Sequence, residues 1–195
     1  MNLVDRAKNI ITSPKTEWEV VASEQPDVNG IFIGYVLPLA LLSAIASFIG
    51  YGLVGIGFLS GITFGLAYGL ISLLSTVIAV YITALIVNIL APNFSSEKDM
   101  GRAMQLVAYS YTPAWIGGLL NIIPVIGWIG GLFGLYGIYL MYLGFPHTMK
   151  TPEDKTVVYM IVTAIILIVL YMILGAIIAS IVFAIFGFGM MSMLG

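Results

Sequence analysis

Glu97-Lys98-Asp99-Met100-Gly101-Arg102 is the stretch on which the fold turns. No Asp, Glu, Lys or Arg lies between Asp27 and Glu97, none between Arg102 and Lys150, and none after Lys155. A helix rising about 1.5 Å per residue needs about 20 apolar residues to cross about 30 Å of hydrocarbon. The first charge-free run holds two such helices, the second two and the third one. Spans are expected near 31–51, 66–90, 104–120, 125–143 and 157–181. The expected fold class is therefore an all-α, polytopic membrane bundle of five transmembrane helices.

Composition excludes most alternatives. The chain has 195 residues, of which 61% are hydrophobic and only 8% charged, against about 25% charged in a soluble domain. A disordered chain would be poor in apolar residues. Without cysteine it is no disulfide scaffold, and no redox compartment follows. The net charge of −2 gives no reason to expect nucleic acid.

Sidedness follows from the same charges. All seven Lys and Arg fall in three segments: Arg6, Lys8 and Lys15; Lys98 and Arg102; Lys150 and Lys155. Five crossings with a cytoplasmic N-terminus put these segments on one side, as basic loop residues require; one crossing more or fewer would scatter them. The expected topology is N-in and C-out, with every acidic group also cytoplasmic. Asp5, Glu17, Glu19, Glu24 and Asp27 make a cleavable signal peptide untenable in the first 27 residues.

Residues 1–29 read as a cytoplasmic segment of two short amphipathic helices. Leu3, Val4, Ala7, Ile10 and Ile11 make one stripe, with Asp5, Arg6, Lys8 and Asn9 opposite. Ser13-Pro14 interrupts it, and Thr16 to Glu19 reads as a capping box. Trp18 would either anchor the second helix in the headgroups or pack on the bundle. Pro38 is expected to kink span one. Gly57, Gly61, Gly65 and Gly69 repeat every fourth residue, and Gly127, Gly131 and Gly134 form a second small-residue face. Such faces let helices pack closely in lipid; a re-entrant stretch over 52–65 is the competing possibility.

Farther on, Ser96 is expected to cap the helix leading into span three, and Thr151 the one leading into span five, with Pro152 at its first position. Gly144-Phe145-Pro146 should stop span four and leave His147 and Lys150 in water or headgroups. The last apolar run exceeds the bilayer thickness, so tilt, a break near Gly175 or an extension must absorb it. An irregular tail is expected at residues 187–191.

Chemistry is sparse. One His, no Cys and no ionisable group inside any expected span leave no nucleophile, acid pair or metal-ligand set. No enzymatic activity, metal or cofactor is expected. The candidate intramembrane cluster is Asn88 with Tyr109, Ser110, Tyr111, Thr112, Pro113 and Trp115, whose polar groups must face protein or water because lipid offers no hydrogen bonds. The candidate partner surface on the cytoplasmic side is Trp18, Glu97, Arg102, His147, Lys150 and Glu153.

Tyr109-Ser110-Tyr111-Thr112-Pro113-Ala114-Trp115, then Ile122-Ile123-Pro124-Val125-Ile126-Gly127-Trp128, Tyr139-Leu140-Met141-Tyr142-Leu143-Gly144 and Met149-Lys150-Thr151-Pro152-Glu153-Asp154-Lys155 resemble, in that order, the Yip family. These are Ypt/Rab-interacting proteins with five transmembrane helices; Ser13-Pro14-Lys15-Thr16-Glu17-Trp18 looks like the start of short prokaryotic members. The resemblance implies a Yip-type domain over residues 30–195 and a cytoplasmic N-terminus. It also implies a scaffold or adaptor that organises membrane or recruits partners. A Rab-type GTPase is implied as partner only for a eukaryotic source, at Golgi or ER; a prokaryotic source implies the inner membrane. Besides the lipid bilayer, the partners expected are a second copy or another membrane protein. The alternative is a transporter or channel for a small solute or lipid, lined by Asn88, Tyr109, Tyr111 and Trp115.

Overall fold

A computed structural model describes the backbone of residues 2–55 and 61–193 and side chains as far as residue 173. Gly57 of the expected glycine repeat lies outside the described residues. The chain divides into two compact units, Met1–Val157 and Val158–Gly195. Among the described residues all regular structure is helical.

In the first unit, α1 (Leu3–Thr12) begins where the Asn2 side chain accepts from the Asp5 amide at 2.8 Å. α2 follows at once over Pro14–Ser23. The expected capping box does not form: Pro14, which needs no donor at a first helical position, starts the helix two residues before Thr16. Asp27 caps the short α3 (Val28–Ile31), accepting from the Asn29 amide at 3.1 Å. A π-turn (Phe32–Val36), α4 (Leu37–Ile49) and a second π-turn (Gly50–Val54) continue from it without a break. The first π-turn ends two residues before Pro38. A proline supplies no amide for the turn before it, and the backbone there takes the wider π register.

α5 (Ile62–Leu90) begins at Gly61, whose φ of 120° few other residues adopt. A 3-10 turn (Ala91–Phe94) ends it, with Ser95 left-handed. α6 (Met100–Ser110) is capped by Asp99, which accepts from the Arg102 amide at 3.0 Å. Ser96, the expected cap, instead donates to the Thr151 hydroxyl at 2.8 Å, so the expected cap at Thr151 serves as its acceptor. Beyond a turn at Tyr111 come α7 (Thr112–Gly118) and two 3-10 turns (Leu119–Ile122 and Pro124–Ile129). α8 (Gly130–Thr148) runs through Pro146 rather than stopping there. The carbonyl deprived of its donor is that of Tyr142, an exposed residue near the helix end.

Among the described residues, four helical segments are long and apolar enough to cross a membrane: Val28–Val54, Ile62–Phe94, Pro124–Thr148 and Glu153–Ile173. The expected third span is not a continuous helix, because Pro113 removes an amide and divides it into α6 and α7. α6 is the core of the unit, buried from Ala103 through Ser110. α5 and α8 surround it and expose Leu66, Leu70, Leu74, Ile78, Leu132, Leu135 and Ile138, while Ser43, Thr83, Gln105, Ser110 and Thr112 are buried. Apolar outside and hydroxyl inside is the arrangement lipid demands.

Close packing uses glycine, but only in part where expected. A Cβ on Gly65 would lie 2.6 Å from Gly52 Cα, and one on Gly69 would lie 3.2 Å from the Ala44 carbonyl, so both serve contact between α4 and α5. On α8 the close contacts belong to Gly130, Gly137 and Gly144, which approach Gly117, the Ser110 carbonyl and Trp18; Gly131 and Gly134 meet nothing within 4 Å. The face toward the neighbouring helices repeats every seven residues.

α9 spans Glu153–Met193 as one helix, about 60 Å at 1.5 Å per residue. It passes Gly175 unbroken, which leaves tilt or extension to absorb the excess length, and it is helical at residues 187–191, where an irregular tail was expected. Glycine without proline costs a helix only about 1 kcal/mol.

Candidate functional site

Pro113 organises the polar centre of the first unit. A residue there would normally donate its amide to the Tyr109 carbonyl four residues back; proline cannot. The Thr112 hydroxyl takes over, donating to that carbonyl at 2.7 Å. Its proton thus committed, Thr112 Oγ1 accepts from the Tyr35 hydroxyl, also at 2.7 Å. The break in one helix is thereby tied to the π-turn of another. The rings of Tyr35 and Tyr109 meet edge to face with centroids 4.9 Å apart, and Trp115 lies 6.2 Å from Tyr35. Tyr111 turns the other way and reaches Thr83 on α5 at 3.3 Å. Ser110 Oγ, Trp115 Nε1 and Asn88 Oδ1 are buried with no hydrogen-bond partner among the described residues. The break thus brings Tyr109, Thr112 and Trp115 together around Tyr35, while no hydrogen bond draws Asn88 into the group.

Beneath this cluster lies a buried cation. Arg6 donates to Glu17 at 2.6 Å and also to Glu24, and its guanidinium stands 5.0 Å from the Tyr109 ring centre. Its side chain is only 5% exposed. Buried ions need such pairing, since desolvation costs several kcal/mol each. The expectation that Arg6 faces away from the apolar stripe of α1 is thus corrected. Leu3, Arg6, Ala7 and Ile10 fall at i, i+3, i+4 and i+7, one face of a helix, and the spacing was the available signal. Glu17, Glu24, Tyr35, Gln105 and Thr83 likewise belong to the site and carry no local sequence mark.

The expected partner surface divides. Trp18 is fully buried, packed toward Gly144 and Leu106 with Tyr109 at 6.3 Å, so it supplies no exposed surface. Arg102 points inward, to the Val21 carbonyl at 3.3 Å and Gln105 Oε1 at 3.1 Å. His147 Nδ1 is 2.9 Å from the Leu143 carbonyl within its own helix. Glu97 and Lys150 are exposed and paired at 2.7 Å, and Glu153 is exposed. The Glu97 amide also donates to the Met149 carbonyl, and Lys155 to Ser95. Through these bonds and that of Arg102, the charged segments around residues 6–27, 95–102 and 149–155 join one another.

Two cavities flank the centre. One, of about 410 Å³, is bounded by Arg6, Glu24, Asp27, Tyr35, Gln105 and Tyr109 among others. The second, of about 470 Å³, lies between Ser43, Thr76, Tyr111, Trp115, Asn121 and the open face of Gly131 and Gly134. Among the described residues no three His, Asp or Glu side chains gather as a metal site would require.

No curated protein and no solved structure matches the chain. The family model described as the Yip1 domain matches residues 8–176, from α1 into α9. With that match over most of its length and several apolar membrane-length helices, the chain is a multi-pass membrane protein that belongs to the Yip1 domain family.

Proposed function

We propose that this protein is a non-enzymatic membrane scaffold or adaptor that crosses the bilayer five times, with its N-terminus and its charged segments in the cytoplasm. The observation that carries this is the joining of all three charged segments through Arg102 to Val21, Glu97 to Lys150 and Lys155 to Ser95. Segments bonded to one another occupy one compartment, and they contain all seven Lys and Arg. The fifth crossing is the broken one, Met100–Ile122, about 35 Å long at helical rises. Its interrupted backbone is tolerable at membrane depth because protein surrounds it. Asp5, Lys8, Lys15, Glu19, Lys98 and Glu153 remain exposed and offer the ionic surface on which another membrane protein or a second copy would be recruited.

The absence of cysteine makes the topology directly measurable. Lys98→Cys and Trp128→Cys should react with an impermeant maleimide from opposite sides of sealed vesicles; labelling of both from one side would refute five crossings. Reversing charge at Lys15, Lys98 and Glu153 together should abolish the native complex on a blue-native gel without changing the melting temperature. Persistence of the complex would refute the adaptor role.

A further inference from the structure

The smaller cavity has a floor and a rim of different chemistry. Gln105 and Tyr109 line its floor and are 1% and 6% exposed. The orientation of the Gln105 amide is fixed, because Arg102 can only donate and therefore takes Oε1. That leaves the two Nε2 hydrogens with no acceptor among the described residues. The Tyr109 hydroxyl also has no hydrogen-bond partner among them, its contacts being through the ring to Trp18, Tyr35 and Arg6. Neither atom is among the fully enclosed unpartnered ones, so both can be reached from the cavity they line. Both border a space large enough to admit an acceptor.

The rim carries carboxylates. Asp27 is exposed and Glu24 is half-buried. Arg6 touches Glu24 and lies over Tyr109, so rim and floor stand one guanidinium apart. Arg6 and Arg102 against Glu17, Glu24 and Asp27 leave one negative charge in excess. An occupant should therefore bring one positive charge at the rim and an acceptor oxygen inside. The face of Tyr109 is already covered by Arg6, so there is no free aromatic cage for a quaternary ammonium; an ammonium with hydrogens to donate suits the carboxylates. Asn2, Leu3, Gln25, Ile31 and the glycines Gly30 and Gly34 complete the lining with Tyr35, and a Cβ on Gly34 would meet nothing within 4 Å. The mouth thus opens beside the start of the first apolar helix.

We propose that this cavity binds a primary ammonium that also carries an acceptor oxygen, with the ethanolamine unit as its simplest form. Glu24 and Asp27 receive the ammonium, and Gln105 Nε2 and Tyr109 Oη donate to the oxygen. Two sources share this chemistry, free ethanolamine and the headgroup of phosphatidylethanolamine.

The test uses the full chain. Melting temperature is followed in detergent against ethanolamine and choline, and in nanodiscs of phosphatidylethanolamine, phosphatidylcholine or phosphatidylglycerol. A rise with ethanolamine assigns the free amine, and a rise only in phosphatidylethanolamine assigns the lipid. Tyr109→Phe keeps every ring contact and Asp27→Asn keeps a helix-capping side chain, so each should melt like the parent without ligand and bind about tenfold more weakly. Gln105→Glu, which keeps the acceptor for Arg102 and removes the donor, should weaken binding similarly. No stabilisation by either source would overturn the assignment. So would equal stabilisation by choline or phosphatidylglycerol, or undiminished binding in all three variants. Labelling and complex formation at the exposed charges are read separately, so failure here leaves the scaffold proposal standing and the reverse holds too.

Discussion

At the scale of single residues, Arg6 and Lys150 show how burial sets the worth of an ion pair. Arg6 is enclosed with Glu17, whereas the side chains of Lys150 and Glu97 are 68% and 54% exposed. Removing Arg6 strands a buried carboxylate, and Arg6→Ala should cost about 3–5 kcal/mol. Lys150→Ala should cost under about 1 kcal/mol, since solvent screens that pair. Denaturant or thermal unfolding of the two variants in one detergent checks the contrast. Arg6 was expected on the polar side of α1, and only its i, i+3, i+4, i+7 spacing with Leu3, Ala7 and Ile10 made its inward side visible. Its partners were not visible, because Glu17 and Glu24 look like any other solvated acids until α2 folds back on α1.

Among the helices, the decisive device is the break at Pro113. Thr112→Val removes both the donor to the Tyr109 carbonyl and the acceptor of the Tyr35 hydroxyl. Leaving those buried groups unpaired should cost about 1–3 kcal/mol each, while Thr112→Ser should be nearly neutral; melting of the pair distinguishes a hydrogen-bonded break from a merely packed one. The glycines give a second contrast. Gly137→Ala places a Cβ 2.6 Å from the Ser110 carbonyl, and overpacking of that kind costs about 1–3 kcal/mol. Gly134→Ala meets nothing within 4 Å and should be neutral or stabilising by up to about 1 kcal/mol. The glycine-rich character of α8 was legible in the sequence; which side of it meets protein depended on where α7 lies.

For the first unit as a whole, α1 and α2 are part of the bundle rather than an appendage. Trp18 is wholly buried and Tyr136 donates to the Ile11 carbonyl at 2.7 Å. Trp18→Ala should cost about 3–5 kcal/mol and loosen this attachment, so trypsin should cut after Lys15 faster than in the parent. An unchanged cleavage rate would mean that the two helices are held elsewhere. Because Arg6, Glu24 and Asp27 border the same cavity as Tyr35, Gln105 and Tyr109, the N-terminal segment completes the site.

The sequence by itself determined the membrane class, the helical architecture and the clustering of charge. Each follows from a one-dimensional fact: apolar runs are measured against bilayer thickness, and ionic groups are confined to loops. It also marked Tyr109 to Trp115 as unusual. Only the tertiary structure decided that Arg6 is buried, that Trp18 is core, that Thr112 repairs the gap left by Pro113 and that Gly137 rather than Gly134 meets a neighbour. Pairing and packing depend on partners that are distant in the chain, such as Tyr35 with Thr112, and local pattern carries no record of them.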